Sequence, residues 1–281
     1  MRLVYGLGAT KAGSGWLYRF LQSHPECHIR SLKELHFFDT LEFGLTRTRL
    51  RKIRDNLGRL QDKPTADVDS ARMARDFAEW LPVAESRDQT AYLGFLANGR
   101  GGRSVVADIT PAYSLVSVET LRMMEKVVPD TRFVFFMRDP VARLWSHIRM
   151  LARRAVRGGV EARQAAAEHL RVALAGQDPT VTDRGAYDVI LSRLKAAIPV
   201  DRLHVDFFED IVPAGKTDRL CAFLGISRFP SSPRRPHQGI ELALADDQRR
   251  LMRAYLAPQY DFVRSEMGRL PAAWEASFAK E

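Results

Sequence analysis

The sequence predicts an α/β fold in which a mostly parallel central sheet is flanked by helices, and three observations lead there. Short apolar runs at 1–5, 104–108 and 132–137 are each closed by Gly, Pro or an Arg-Asp-Pro turn and are each followed by a segment with helical spacing. Strands that alternate with helices pair in parallel, because the connecting helix carries the chain back to the same edge of the sheet. The chain has 281 residues, of which 46% are hydrophobic and 27% charged. Those are globular averages and exclude a disordered or fibrous class. At this length we expect one domain over residues 1–281.

Each element has its own local signal. Leu3, Val4 and Tyr5 before Gly6 and Gly8 read as a buried strand entering a tight turn. Ser14 is placed to cap a helix in which Trp16, Leu17, Phe20 and Leu21 share a face, and His24-Pro25 stops it. Leu45, Leu50, Ile53, Leu57 and Leu60 space one further helix, and residues 73–81 a second. Residues 117–127 are helical, and residues 132–137 form the least ambiguous strand. Pro140 then occupies a first-turn position, where its missing N–H costs nothing. Later come a helix at 187–198, a strand at 202–208, a helix at 219–224 ended by Gly225, and a helix at 246–255. Residues 228–239, with three prolines, form the one long loop.

Charge narrows the partners without choosing one. The formal net charge of +9 favours anionic ligands, polyanions or membrane surfaces. No aromatic RNA-binding strand, zinc-finger spacing or dimer heptad supports nucleic-acid binding. Arg149, Arg153, Arg154, Arg157, Arg163 and Arg171 form a basic helical region that we read as a solvated face rather than an anionic-substrate surface. No apolar run approaches the roughly 20 residues of a membrane span, and no signal-peptide pattern opens the chain, so a cytoplasmic protein is expected. Cys27 and Cys221, far apart and outside any CxxC pair, read as buried thiols rather than a disulfide or zinc site.

Residues 6–16 fit the physical recipe for holding a phosphate: a strand, a glycine-rich loop, then a helix whose N-terminal N–H groups are free and electropositive. A plain structural turn fits the same pattern. The loop is not a Walker A motif, because Lys11 precedes Gly13 instead of following a glycine and preceding Ser or Thr.

Lys11-Ala12-Gly13-Ser14-Gly15-Trp16-Leu17 resembles the 5′-phosphosulfate loop of sulfotransferases that use 3′-phosphoadenosine 5′-phosphosulfate (PAPS). Residues 133–146, FVFFMRDPVARLWS, resemble that family's 3′-phosphate motif: a strand, an Arg-(Asp/Glu/Asn)-Pro turn, an Arg three residues later and a Ser in the next turn. Residues 34–39, ELHFFD, match the ExHFFD element of heparan-sulfate and related carbohydrate sulfotransferases, and residues 108–113, DITPAY, are similar to their EK(S/T)PxY segment. Tyr187, residues 208–210 and residues 251–268 continue the family order along the whole chain.

The resemblance implies a P-loop-like three-layer architecture, PAPS as sulfuryl donor, release of adenosine 3′,5′-bisphosphate, no metal, and a small-molecule or glycan acceptor. It places Lys11, Ala12, Gly13, Ser14, Gly15 and Trp16 around the 5′-phosphate, Arg138 and Ser146 on the 3′-phosphate, and Tyr187 and Arg235 at the nucleotide. An Arg fork suits bidentate phosphate contact. Glu34 falls where such family members keep a general base, although a surface carboxylate paired with Lys33 has the same sequence. His36 serves as base, orients the acceptor or simply packs between Leu35 and Phe37; Asp39 is a weaker candidate.

Three departures stand out. Gly15 replaces a hydroxyl residue, and Ile109 replaces the Lys of EK(S/T)PxY, so a sulfate or acceptor contact from that Lys must come from elsewhere. The C-terminal nucleotide loop is only echoed by Pro233-Arg234-Arg235-Pro236-His237. Two rival readings remain at this stage: an ATP-dependent P-loop kinase, which lacks its GK(S/T) pair here, and a silent binder of adenosine bisphosphate, against which Glu34 argues.

Overall fold

A computed structural model describes residues 1–61, 67–156, 159–212, 215–230 and 241–278. Five strands, β1 (Arg2–Gly8), β2 (Cys27–His28), β3 (Val105–Ile109), β4 (Thr131–Met137) and β5 (Leu203–Phe207), form a parallel sheet in the order β2-β3-β1-β4-β5. β1 sits at the centre, with Tyr5 in register with Asp108 of β3 on one side and Phe133 of β4 on the other. β1, β3 and β4 are buried almost throughout, as strands covered on both faces must be, and this is why they read as continuous apolar runs.

The order also fixes where a ligand fits. From β1 the chain runs outward to β2 and returns to β3, then crosses to the other side of β1 for β4 and β5. The strand order therefore reverses beside β1, and in sheets of this kind ligands bind at such a switch point, here beyond the C-terminal ends of β1 and β4. Those ends carry residues 9–13 and residues 138–140.

The helix Ser14–Ser23 packs Trp16, Leu17, Phe20 and Leu21 into the core, as their spacing requires. Its N-cap is Gly13, at φ 101°, and Ser14 is the first helical residue rather than the cap. The helices Thr46–Gln61 and Val68–Ser86 pack on one another, the second capped by Asp67, which accepts from the N–H groups of Asp69 and Ser70. Ser117 caps Val118–Glu125 in the same way. Pro140 opens the helix Pro140–Val156, as expected.

Several elements differ from the sequence reading. The basic region is divided: Arg149, Arg153 and Arg154 end the helix Pro140–Val156, and Arg163 and Arg171 belong to a separate helix, Ala162–Leu174. The helix expected at 246–255 runs through Pro258 to Met267, because Met252, Leu256, Tyr260 and Val263 keep burying one face past the proline. Cys27 and Cys221 are buried free thiols. No helix among the described residues is long and apolar enough to cross a membrane.

Candidate active site

The loop between β1 and the first helix is held open from both ends. The Ala9 N–H donates to the Phe136 carbonyl of β4 at 2.7 Å, and Lys11 and Gly13 adopt left-handed φ values of 73° and 101°. A Cβ on Gly13 would lie 2.6 Å from Cδ2 of Phe208, so this position admits only glycine without displacing that ring. The amides of Ser14 and Gly15 fall in the first helical turn, where no intrahelical acceptor exists and a bound anion can take their place. Trp16 contributes less than the motif implies: it is 4% exposed, stacked on Phe20, and its N–H is engaged by the Gly13 carbonyl. Ala12 is likewise buried, so both serve the loop's shape rather than its open face.

At the end of β4, Arg138 turns back over this loop. Its Nη1 donates to the Lys11 carbonyl at 3.1 Å, and its guanidinium lies 5.3 Å from the centre of the Phe208 ring. Tyr187 is 0% exposed, and its hydroxyl is engaged by the Arg138 backbone, accepting from the N–H at 3.1 Å and donating to the C=O at 2.6 Å. Tyr187 is therefore a buried strut under Arg138. Asp139 accepts from the Ala142 N–H and from the Tyr260 hydroxyl, which makes it the helix cap and a packing partner. Arg143 is 2% exposed, donates to the Val181 carbonyl and packs where a Cβ on Gly185 would be. Ser146 lies half-buried farther along the same helix. Arg235 falls outside the described residues.

The segment after β2 forms the facing wall. Glu34 and His36 have φ values of 65° and 57°, a conformation non-glycine residues avoid and one that concentrates at functional sites. Tyr113 holds the turn: its hydroxyl accepts from the Phe37 N–H at 2.9 Å and donates to Asp108 Oδ2 at 2.7 Å. Tyr92 and Thr110 also donate to Asp108. Lys33 Nζ lies 2.6 Å from Glu34 Oε1 and 3.5 Å from Ser14 Oγ, so one lysine links the candidate base to the phosphate-type loop. Glu34 thus makes the Lys33 pair that a surface carboxylate would make, and it does so at the mouth of the crevice with 41% of its side chain open. His36 Nε2 lies 3.5 Å from Glu34 Oε2, and its Nδ1 lies 2.7 Å from Asp39 Oδ2 and 3.0 Å from Nη2 of Arg49.

The electrostatics follow from this crowding of cations. Burial, then Arg138, Arg153, Arg149 and Lys33, lower the Lys11 pKa to about 8. Burial alone would raise Glu34, but the His36 hydrogen bond and Lys33 outweigh it and bring the carboxyl down to about 2. Burial alone would lower His36, yet hydrogen bonds to Asp39 and Glu34 raise it. Buried His147 is lowered to about 3 by desolvation and by Arg143, Arg184, Lys11 and Arg154, and so stays neutral here.

Three groups at this site had no local sequence signal. Arg49 arrives from the helix Thr46–Gln61, His147 from the inner face of Pro140–Val156, and Arg184 from a turn whose guanidinium donates to Thr10 Oγ1 at 3.1 Å. Only tertiary packing brings them to the site.

Comparison with known proteins bears on this arrangement. A search of curated proteins finds no match. Among solved structures, a sulfotransferase from Alicyclobacillus acidocaldarius is similar in fold, with a TM-score of 0.66 and 23% identity over 97% of this chain and 98% of that one. The sulfotransferase domain of the Synechococcus PCC 7002 olefin synthase aligns at a TM-score of 0.49 and 16% identity over 91% and 94% of the two chains. The family model described as "Sulfotransferase family" matches residues 4–231, a span that takes in the β1 loop, the Glu34 wall, Arg138 and β5. The chain belongs to the sulfotransferase family.

Proposed function

We propose that the protein transfers the sulfuryl group of PAPS to a hydroxyl or amine of a small-molecule or glycan acceptor by in-line displacement, with Glu34 as general base. The observation that carries this reading is a pair of contacts joining three sequence-distant motifs: Arg138 Nη1 to the Lys11 carbonyl, and Lys33 between Glu34 and Ser14. Donor-binding cations and an ionised carboxylate thereby face one crevice at the topological switch point.

Sulfuryl transfer spreads negative charge over the equatorial and leaving oxygens, so positioning and electrostatic stabilisation supply most of the catalysis. Lys11 with the loop amides would hold the 5′-phosphate, and Arg138 with Ser146 the 3′-phosphate. The acceptor oxygen bonds to sulfur as the bond from sulfur to the bridging phosphate oxygen breaks. That oxygen leaves with the electron pair, and the acceptor proton passes to Glu34. His36, held between Asp39 and Glu34, keeps the Glu34 carboxylate aimed and ionised. Asp139, the acidic residue directly after β4, accepts from the Ala142 N–H and the Tyr260 hydroxyl, which speaks against its use as the metal carboxylate a kinase would need.

The test is thermal shift with adenosine 3′,5′-bisphosphate, adenosine 5′-monophosphate and ATP with Mg²⁺, on the wild type and on Arg138→Ala. The bisphosphate should stabilise the wild type selectively, and Arg138→Ala should lose that selectivity. Equal or greater stabilisation by ATP with Mg²⁺ refutes the 3′-phosphate site.

A further inference from the structure

The Lys of EK(S/T)PxY segments is replaced here by Ile109, which is 2% exposed and turned into the core, where a Cβ on Gly6 would lie 2.8 Å from its Cδ1. Position 109 therefore supplies no cation to the crevice. Arg184 approaches it from a different element. It stands in the short turn Asp183–Gly185, 174 residues from its partner Thr10, and its Nη1 donates to the Thr10 hydroxyl one residue before Lys11. Its charge acts on Glu34 and Asp39 on the opposite wall. It thus bonds to the donor loop while the acceptor-side carboxylates lie near enough for their charges to reach it.

Two of the neighbouring cations are already drawn to carboxylates. Lys33 is paired with Glu34, and Arg49 lies 3.7 Å from Asp39. Arg138 is bonded to the loop carbonyl. Among the described residues, no carboxylate lies within ion-pair distance of Arg184. A half-buried guanidinium bonded only to a neutral hydroxyl retains its charge and spare donors for an anion.

We propose that Arg184 is a catalytic residue that contacts the sulfuryl oxygens during transfer, supplying from the turn at 183–185 the positive charge that Ile109 withholds from β3. The proposal rests on the PAPS reading. It differs from a loop-shaping role in one respect: adenosine 3′,5′-bisphosphate lacks the sulfuryl group, so Arg184 should matter to PAPS and not to the bisphosphate.

The experiment measures Kd by calorimetry for PAPS and for adenosine 3′,5′-bisphosphate on the wild type, Arg184→Gln and Arg184→Lys, with sulfate release from PAPS to water as a second readout. The expected result for Arg184→Gln is a bisphosphate Kd within about threefold of wild type and a PAPS Kd weakened about tenfold, the worth of one charge-assisted hydrogen bond. Sulfate release should fall about a hundredfold, as for loss of one donor to a developing charge. Arg184→Lys keeps the charge without the fork and should fall between, and it carries the test if the Gln variant loses its fold by circular dichroism. Equal weakening of both nucleotides assigns Arg184 to loop structure and overturns the proposal, as does an unchanged PAPS Kd with unchanged sulfate release. Failure of the wild type to bind either nucleotide instead removes the donor reading beneath it.

Discussion

Lys11 should make donor binding depend on pH in a range where an ordinary lysine is silent. Burial first, and then the charges of Arg138, Arg153, Arg149 and Lys33, lower its pKa to about 8. In the free protein it is therefore about nine-tenths charged at pH 7 and about one-tenth charged at pH 9. A phosphate that pairs with the ammonium raises that pKa again, so above pH 8 binding must take up a proton. The sign is a loss of affinity as pH rises: Kd for adenosine 3′,5′-bisphosphate should be flat from pH 7 to 7.5 and then weaken toward about tenfold per unit. The ligand's own phosphate ionisation, near pH 6, is complete by then. Calorimetry at fixed ionic strength, in two buffers of different ionisation enthalpy, measures both the affinity and the proton uptake. Lys11→Arg carries a charge that does not titrate here and should abolish the slope. A wild-type Kd that is constant from pH 7.5 to 9.5, or an equal slope in Lys11→Arg, would refute the assignment of Lys11 to the phosphate.

Two further substitutions test the scaffold of the site. Gly13→Ala places a Cβ 2.6 Å from Phe208 Cδ2 at a φ of 101°, and should cost about 1–3 kcal/mol and remove the thermal shift given by adenosine 3′,5′-bisphosphate, both read by differential scanning fluorimetry. Tyr113→Phe deprives the buried Phe37 N–H of its acceptor and Asp108 of one donor, and should cost about 1–3 kcal/mol in denaturant unfolding. Because the same hydroxyl holds the backbone beside His36, turnover of Tyr113→Phe should fall more than its bisphosphate affinity.

The parts of the fold that were legible in the sequence are those whose packing is periodic or whose ends carry caps. β1, β3, β4 and the helix Ser14–Ser23 are of this kind. β2 has two residues and no pattern of its own; it exists because Cys27 and His28 fall alongside Val105 and Val106. The helix Gln89–Ala97 is apolar nearly all round, so it carries no helical period to read. In the candidate site, motif order named Lys11, Glu34 and Arg138, which the fold brings near one another, but motif position does not say whether a residue acts through side chain or backbone. Trp16 and Tyr187, expected at the donor by motif alone, have buried rings, and nothing in their sequence positions announces that burial. The left-handed φ values of Lys11, Glu34 and His36 were invisible for the converse reason, since nothing in a non-glycine residue announces them.

The basic region shows how one charge run can serve two ends. Arg171 pairs with Glu168 on the exposed surface of Ala162–Leu174, as the solvated-face reading expects. Arg153 and Arg154 are exposed as well, yet Arg149 and Arg153 also press on the charge of Lys11, and Arg154 shares the sulfur of Met150 with the Lys11 ammonium, at 3.9 and 4.0 Å. Like charges gathered around a half-buried lysine oppose one another in the free protein, and a bound anion relieves that opposition. The repulsion that adds to burial in lowering Lys11 to about 8 would, on the proposed reading, become attraction for a doubly phosphorylated nucleotide. On the proposed reading, the basic C-terminal end of the helix Pro140–Val156 thus adds to the field that draws an anion to the loop beside it.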